Sequence, residues 1–200
     1  MKVKIKKNKK VKKYKVVEKW SDVTLDDWIK LIAAEEKITS ESALEQIKLL
    51  SDIPEKLIKA LSIENIALIL KHINRVKDTA ENKLSKIIKI EGKEYGFHPD
   101  LSEITLGEYA DIETFIKNGI DKHLPEMMAI LYRPIVEKKN DVYTIEAYDG
   151  KISIRSEIMK KMSAEQVQGA MVFFWTFVKV FLKILPSSLK DQANQMMKEL

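Results

Sequence analysis

The sequence predicts an α+β fold, mainly helical, made of two similar units, and three features carry that expectation. A capped-helix signature occurs twice, as WSDVTLDDW at 20–28 and as LSEITLGEY at 101–109, displaced by 81 residues. A β-hairpin signal precedes each copy. The last long apolar stretch, AEQVQGAMVFFWTFVKVFLKIL, runs to Pro186 at helical spacing with no breaker except Gly169.

Taken in order, VKIKKNKKVKKYKV alternates Val3 and Ile5 with lysine, turns near Asn8 and resumes at Val11, the pattern of a half-exposed edge hairpin. Thr24 stands three residues before Asp27. In that capping-box spacing the hydroxyl accepts from a free helix N–H while the acid, here the shorter aspartate, reaches back to the cap's own amide. A second helix runs through IKLLSDI to a nearby proline, and a third begins at Ser62 in LSIENIALIL.

In the second unit KIIKIEGKEYGF sets Glu91-Gly92 between two short strands, so a two-residue loop puts Lys89 opposite Glu94 and Ile88 opposite Tyr95. Thr105 and Glu108 repeat the capping spacing with the longer acid. MAILYRPI reads as a helix ending at a proline, and MSAEQVQGAM at 162–171 lies over LSIENIALIL at 61–70, displaced by 101, with Ser163 matching Ser62 as N-cap. The change from 81 to 101 requires 20 inserted residues, placed at about 137–155. VYTIEAYDGKISIR supplies a hairpin there: with Asp149-Gly150 as the turn, Ala147 faces Ile152 and Ile145 faces Ile154. The units span 1–80 and 84–186, and a tail over 187–200 is expected to be helical.

On the last helix Gln168, Thr176, Lys179 and Lys183 fall within a stripe of roughly 80°, so most of its circumference is apolar. One row holds Phe173, Phe177, Val180 and Ile184; the other holds Val167, Ala170, Met171, Phe174, Val178, Phe181 and Leu185. Three placements satisfy such a helix. A central core helix is favoured, because apolar stripes at this spacing usually face a core. An interface to a partner or to a second copy along the Phe173 row comes next. A membrane span is disfavoured by two interior lysines, each costing about 2.5–3.5 kcal/mol near the middle.

Two hundred residues with 45% hydrophobic content suffice for a sizeable core, and the absence of cysteine removes disulfides, thiolate metal sites and cysteine nucleophiles. It suits a reducing cytosol, and the basic N-terminus lacks the apolar run of a secretory signal. The net charge of +5 is unevenly spread. Residues 1–15 hold nine lysines and no acid; the rest carries 35 less nine, or 26, basic residues against 30 acidic ones, a charge of −4. Lys6, Lys7, Lys9, Lys10, Lys12 and Lys13 are candidate contacts to nucleic acid or another polyanion, or else a solvated edge that resists strand pairing.

Little points to catalysis, and no cofactor or metal is expected. His72, His98 and His123 lack metal-ligand spacing, and His98-Pro99-Asp100 reads as a turn before it reads as half of an acid–base pair. Asp26-Asp27 and Glu35-Glu36 read as solvated helix residues. No Gly-rich nucleotide motif or nucleophile elbow is present. Arg133 in LYRPI is either a partner anchor or, preferably, a cation completing a helix C-terminus.

YGFHPDLSEITLGEYADIETF, MAILYRPI, YTIEAYDG and MSAEQVQGAMVFFW together resemble the pattern of small proteins encoded in the structural gene modules of tailed bacteriophages, especially those of Bacteroidetes-type hosts. The resemblance covers about residues 84–180 and leaves out the lysine-rich hairpin. It implies a non-enzymatic role in virion building, as a tail-assembly chaperone or a minor virion component. It implies phage structural proteins as partners, and the infected host's cytoplasm or the virion as location. It brings no catalytic residue.

Overall fold

The computed structural model describes residues 1–7, 10–140 and 142–184, apart from the side chains of 6, 7, 10 and 180–184. The fold is α+β and mainly helical. It divides into Met1–Glu81 with Ser163–Glu165 (unit 1), and Asn82–Met162 with the chain from Gln166 on (unit 2).

Unit 1 begins with β1 (Lys2–Lys7) and β2 (Lys10–Lys15), antiparallel from Lys2↔Lys15 to Lys7↔Lys10. Beyond β2 the extended chain meets the exit of the second helix: Val16 bridges Ser51, and the Val17 N–H donates to Leu50 O at 2.8 Å. The helices are α1 (Leu25–Glu35), α2 (Thr39–Leu49), the one-turn α3 (Glu55–Ile58) behind Pro54, and α4 (Ile63–Asp78). Their apolar stripes meet in a core containing Val16, Trp20, Val23, Leu31, Ile47, Ile69 and Ile73, against which Val3, Ile5 and Tyr14 of the hairpin pack. His72 is accounted for here, its Nε2 lying 2.8 Å from Val17 O.

Unit 2 begins with β3 (Ile87–Ile90) and β4 (Lys93–Phe97), in the expected register of Lys89↔Glu94 and Ile88↔Tyr95. Glu91 and Gly92 both have positive φ, +49° and +85°, as a two-residue turn matching the strand twist demands. Then follow α5 (Leu106–Lys117) and α6 (Leu124–Leu131). Of α6 only Glu126 escapes burial, so this helix is interior on all sides. It passes directly into β5 (Tyr132–Lys139), which pairs with β4 and with β6 (Val142–Ile145), giving a four-stranded antiparallel sheet β3-β4-β5-β6. The closing elements are α7 (Ile152–Met159), packed on α6, and α8 (Ala164–Ile184).

Thr24 and Thr105 are both N-caps. The Thr24 hydroxyl accepts from Asp27 N–H at 3.1 Å and donates to the Asp27 carboxylate at 2.7 Å, whereas only the longer Glu108 also reaches back to its cap's amide, at 2.8 Å, completing a capping box. Thr105→Ala is expected to lose about 0.5–2 kcal/mol in a urea titration, the range of a lost N-cap; an unchanged midpoint would mean that the hydroxyl caps nothing.

Two sequence expectations for the second unit fail. The inserted hairpin is β5–β6, not a pair of strands about Asp149-Gly150, and Ile152–Met159 is helical. The Asp149 carboxylate is used instead to receive the Lys151 N–H at 3.1 Å and the Arg155 guanidinium at 2.5 Å at the entry to α7. YRPI likewise is strand rather than helix end, with Tyr95 opposite Pro134. The expected tail, 187–200, lies outside the described residues.

Candidate functional site

In the first hairpin, paired residues share a face and alternate along each strand. Val3 with Tyr14 and Ile5 therefore turn to the core, while Lys2 with Lys15 and Lys4 with Lys13 stand directly opposite each other on the outer face. All four lysines are exposed, and among the described residues none lies within ion-pair distance of an acid. Like charges placed opposite one another destabilise a sheet, and the Glu18 carboxylate, which feels the charges of Lys15 and Lys2, offsets part of that repulsion. Of the six lysines expected from sequence, Lys13 is on the face and Lys12 lies across from Ile5 on the other side. Lys9 and the side chains of Lys6, Lys7 and Lys10 lie outside the described residues. Lys2, Lys4 and Lys15 join the face through strict alternation, which was legible once the register was known.

In unit 2 the cap of α5 leads to a buried ionic cluster. One Glu108 oxygen serves Thr105; the other meets Arg133 Nη1 at 2.6 Å and lies 3.6 Å from His98 Nε2. The arginine contact is close but poorly aligned for a hydrogen bond, so charge holds it rather than direction. The guanidinium sits 5.9 Å from the Tyr148 ring centre, and the Tyr148 hydroxyl donates to Asp111. Arg133 is 4% exposed, neither a surface anchor nor a helix cation: it is a strand residue neutralised across the unit by α5. His98 and Asp100 keep part of their turn role, the Asp100 carboxylate receiving Ser102 N–H at 2.9 Å.

Burial alone would raise the Glu108 carboxyl, but Thr105, Arg133 and His98 hold it below its ordinary 4.5. Burial pushes His98 below 6.5, with Glu108 opposing and Arg133 assisting. An unfolded chain then binds more protons than the folded one at both groups. Stability is full above 6.5, falls as the pH drops through His98's lowered folded value, and falls again below the carboxyl range as Glu108 protonates. Thermal melts from about pH 7 to about pH 5 should show the first loss in the wild type and not in His98→Gln. A wild-type melting temperature that is flat over this interval would refute the assignment.

On α8 the Val167 row is the inner one: Val167, Ala170, Met171 and Phe174 are buried, whereas Phe173 is 43% exposed with its ring edge-on to Phe97 at 5.5 Å. Phe177 is half-buried, and the side chains of Val180 and Ile184 lie outside the described residues. No helix among the described residues is long and apolar enough to cross a membrane. Gly169 is where a Cβ would meet Lys83 O at 2.2 Å, the backbone of the 82–86 segment crossing the helix. Gly96 plays the same part under Tyr143, whose ring would sit 2.4 Å from a Cβ there and whose hydroxyl donates to Phe97 O at 2.8 Å.

Elsewhere, an open depression of about 310 Å³ in unit 1 is lined by Lys15, Asp22, Asp27, Leu49 and Asp52, among others. Asp27 is engaged by Thr24 there, and Asp52 by the Lys15 amide at 2.6 Å. Among the described residues no three acidic or histidine side chains gather to hold a metal. The geometry is therefore that of an α+β protein with an outward lysine face, a buried ionic cluster and apolar side chains left in water. No protein family, curated protein or solved structure matches the chain.

Proposed function

We propose that this chain is a non-enzymatic assembly protein of a tailed bacteriophage, tail-assembly chaperone-like, which acts by binding other phage proteins through the second unit. The resemblance over residues 84–180 supports the phage assignment. The observation that carries the binding role is the exposure of large apolar side chains on the inserted hairpin and the last helix, Val136 and Val142 on β5–β6 and Val172 and Phe173 on α8. Large apolar groups left in water are typical of docking surfaces. Mass spectrometry of purified virions tests this reading: a chaperone is absent from finished particles, and recovery at fixed stoichiometry would replace it with a minor structural component of head, neck or tail.

A second reading is favoured by the opposed lysines of β1–β2, which suit a nucleic acid. Each phosphate they neutralise releases counterions, so affinity should fall about a thousandfold between about 50 and about 200 mM salt if about six phosphates are engaged. Lys4→Glu with Lys13→Glu should abolish that binding without altering the melting temperature. Undetectable binding at low salt would leave the hairpin as a solvated edge.

A further inference from the structure

Thr24 and Ser163 each stand directly before a helix, α1 and α8, and the two residues form an antiparallel β-bridge closed by the Ala164 N–H donating to Val23 O at 2.8 Å. The residues that follow them, Leu25 and Ala164, are fully buried. The chain carries the same pair of segments a second time. Displaced by 81, Val23-Thr24-Leu25 becomes Ile104-Thr105-Leu106 ahead of α5; displaced by 101, Ser163-Ala164 becomes Ser62-Ile63 ahead of α4. Thr105 (φ −70°, ψ 159°) and Ser62 (φ −66°, ψ 155°) hold the extended backbone that Thr24 (φ −81°, ψ 160°) uses in its bridge. Yet among the described residues neither is bridged, and both are exposed.

The side chains show what is missing. Leu106 is 83% exposed where its counterpart Leu25 is buried, and Ile63 is 89% exposed where Ala164 is buried. Tyr109, one turn beyond Leu106, is also exposed, whereas its counterpart Trp28 is half-buried. Ile63 is moreover the first residue of α4, so its N–H has no acceptor within the helix, as Ala164's would have none without Val23. Among the described residues each open segment lacks the partner that its counterpart has, which leaves one unpaired example of each kind.

We propose that a second copy of this chain completes the joint: Ile104-Thr105-Leu106 of one copy docks on Ser62-Ile63 of the next, Thr105 pairing with Ser62 and the Ile63 N–H donating to Ile104 O. The two surfaces differ, so the contact is heterologous, and an open assembly keeps one free half of each kind at its two ends. Association continues until a ring closes, or gives an open filament. The inference goes beyond the phage reading and does not depend on it; it rests on the repeat read from the sequence.

Sedimentation of the full chain over a range of concentrations tests it. The wild type should self-associate, as a reciprocal dimer, a larger ring or a filament. Ile63→Asp and Leu106→Asp, each at an exposed position, should fold with unchanged melting temperatures and remain monomeric alone. Mixed in equal amounts they should give a 1:1 dimer and nothing larger, because one supplies an intact α5 segment and the other an intact α4 segment. Ile154→Asp, at an exposed apolar site on α7, should assemble like the wild type. If either aspartate variant fails to fold, Ile63→Ser and Leu106→Ser take their places. A wild type that stays monomeric at the highest concentration, assembly that survives Ile63→Asp, or a mixture that remains monomeric overturns the proposal.

Discussion

Arg133→Ala will destabilise unit 2 by about 3–5 kcal/mol, the loss expected when one partner is removed from a buried ion pair. The cause lies in the residue left behind. Glu108 is 1% exposed and held ionised, so without the guanidinium at 2.6 Å its charge has only Thr105 and the nearby His98 to stabilise it. The Tyr148 ring loses its cation as well. Replacing both partners, Glu108→Gln with Arg133→Met, should recover much of the loss, because an uncharged pair of similar volume avoids the isolated charge. Chemical denaturation with amide exchange read separately at β4 and β5 checks both variants. An Arg133→Ala midpoint close to wild type would mean that water reaches Glu108 and that the pair is not integral.

Gly169→Ala reverses a familiar rule. Alanine in a helix interior is usually worth about 1 kcal/mol over glycine. Here the added Cβ would lie 2.2 Å from Lys83 O and 2.8 Å from Lys83 C, and because both are backbone atoms no side-chain rotation makes room. The strain should cost about 1–3 kcal/mol or more and push the 82–86 segment off α8, breaking the 2.7 Å bond from Gln168 to Asn82. Gly107→Ala is the control: its Cβ meets only the Tyr148 ring at 3.5 Å, an ordinary contact. Equal melting temperatures for the Gly169 variant and wild type would place the segment elsewhere.

How far the fold was legible depended on whether a signal was local. Glu91-Gly92 and Thr105 with Glu108 carry their conformation in two to four residues, and the register and the capping box were readable from them. Asp149-Gly150 is an equally local signal that tertiary context overrode. Ile-Ser-Ile-Arg fits a strand alternation and a short helix equally well, and the strand that claimed β6 was hidden behind Pro134, a residue seldom found between two other strands. Arg133 was misplaced for the same reason. Its partner is 25 residues away on another element, and no spacing rule connects a charge inside ILYRPIV to a helix cap. A lone arginine in an apolar run was the available sign that a buried carboxylate had to exist.

The direct passage from α6 into β5, with no residue between Leu131 and Tyr132, limits how this chain can vary. Strand side chains alternate, so one residue inserted at that joint would carry Arg133 to the face now held by Tyr132 and Pro134, and Tyr132 to the side of Glu108. Every pair from Tyr95↔Pro134 to Phe97↔Tyr132 would change its meaning at once. The joint can accept exchanges of residue type but not of length. Descendants of this sequence should gain and lose residues at loops such as 146–151, and keep the count from Leu124 to Pro134 constant however far their identities drift.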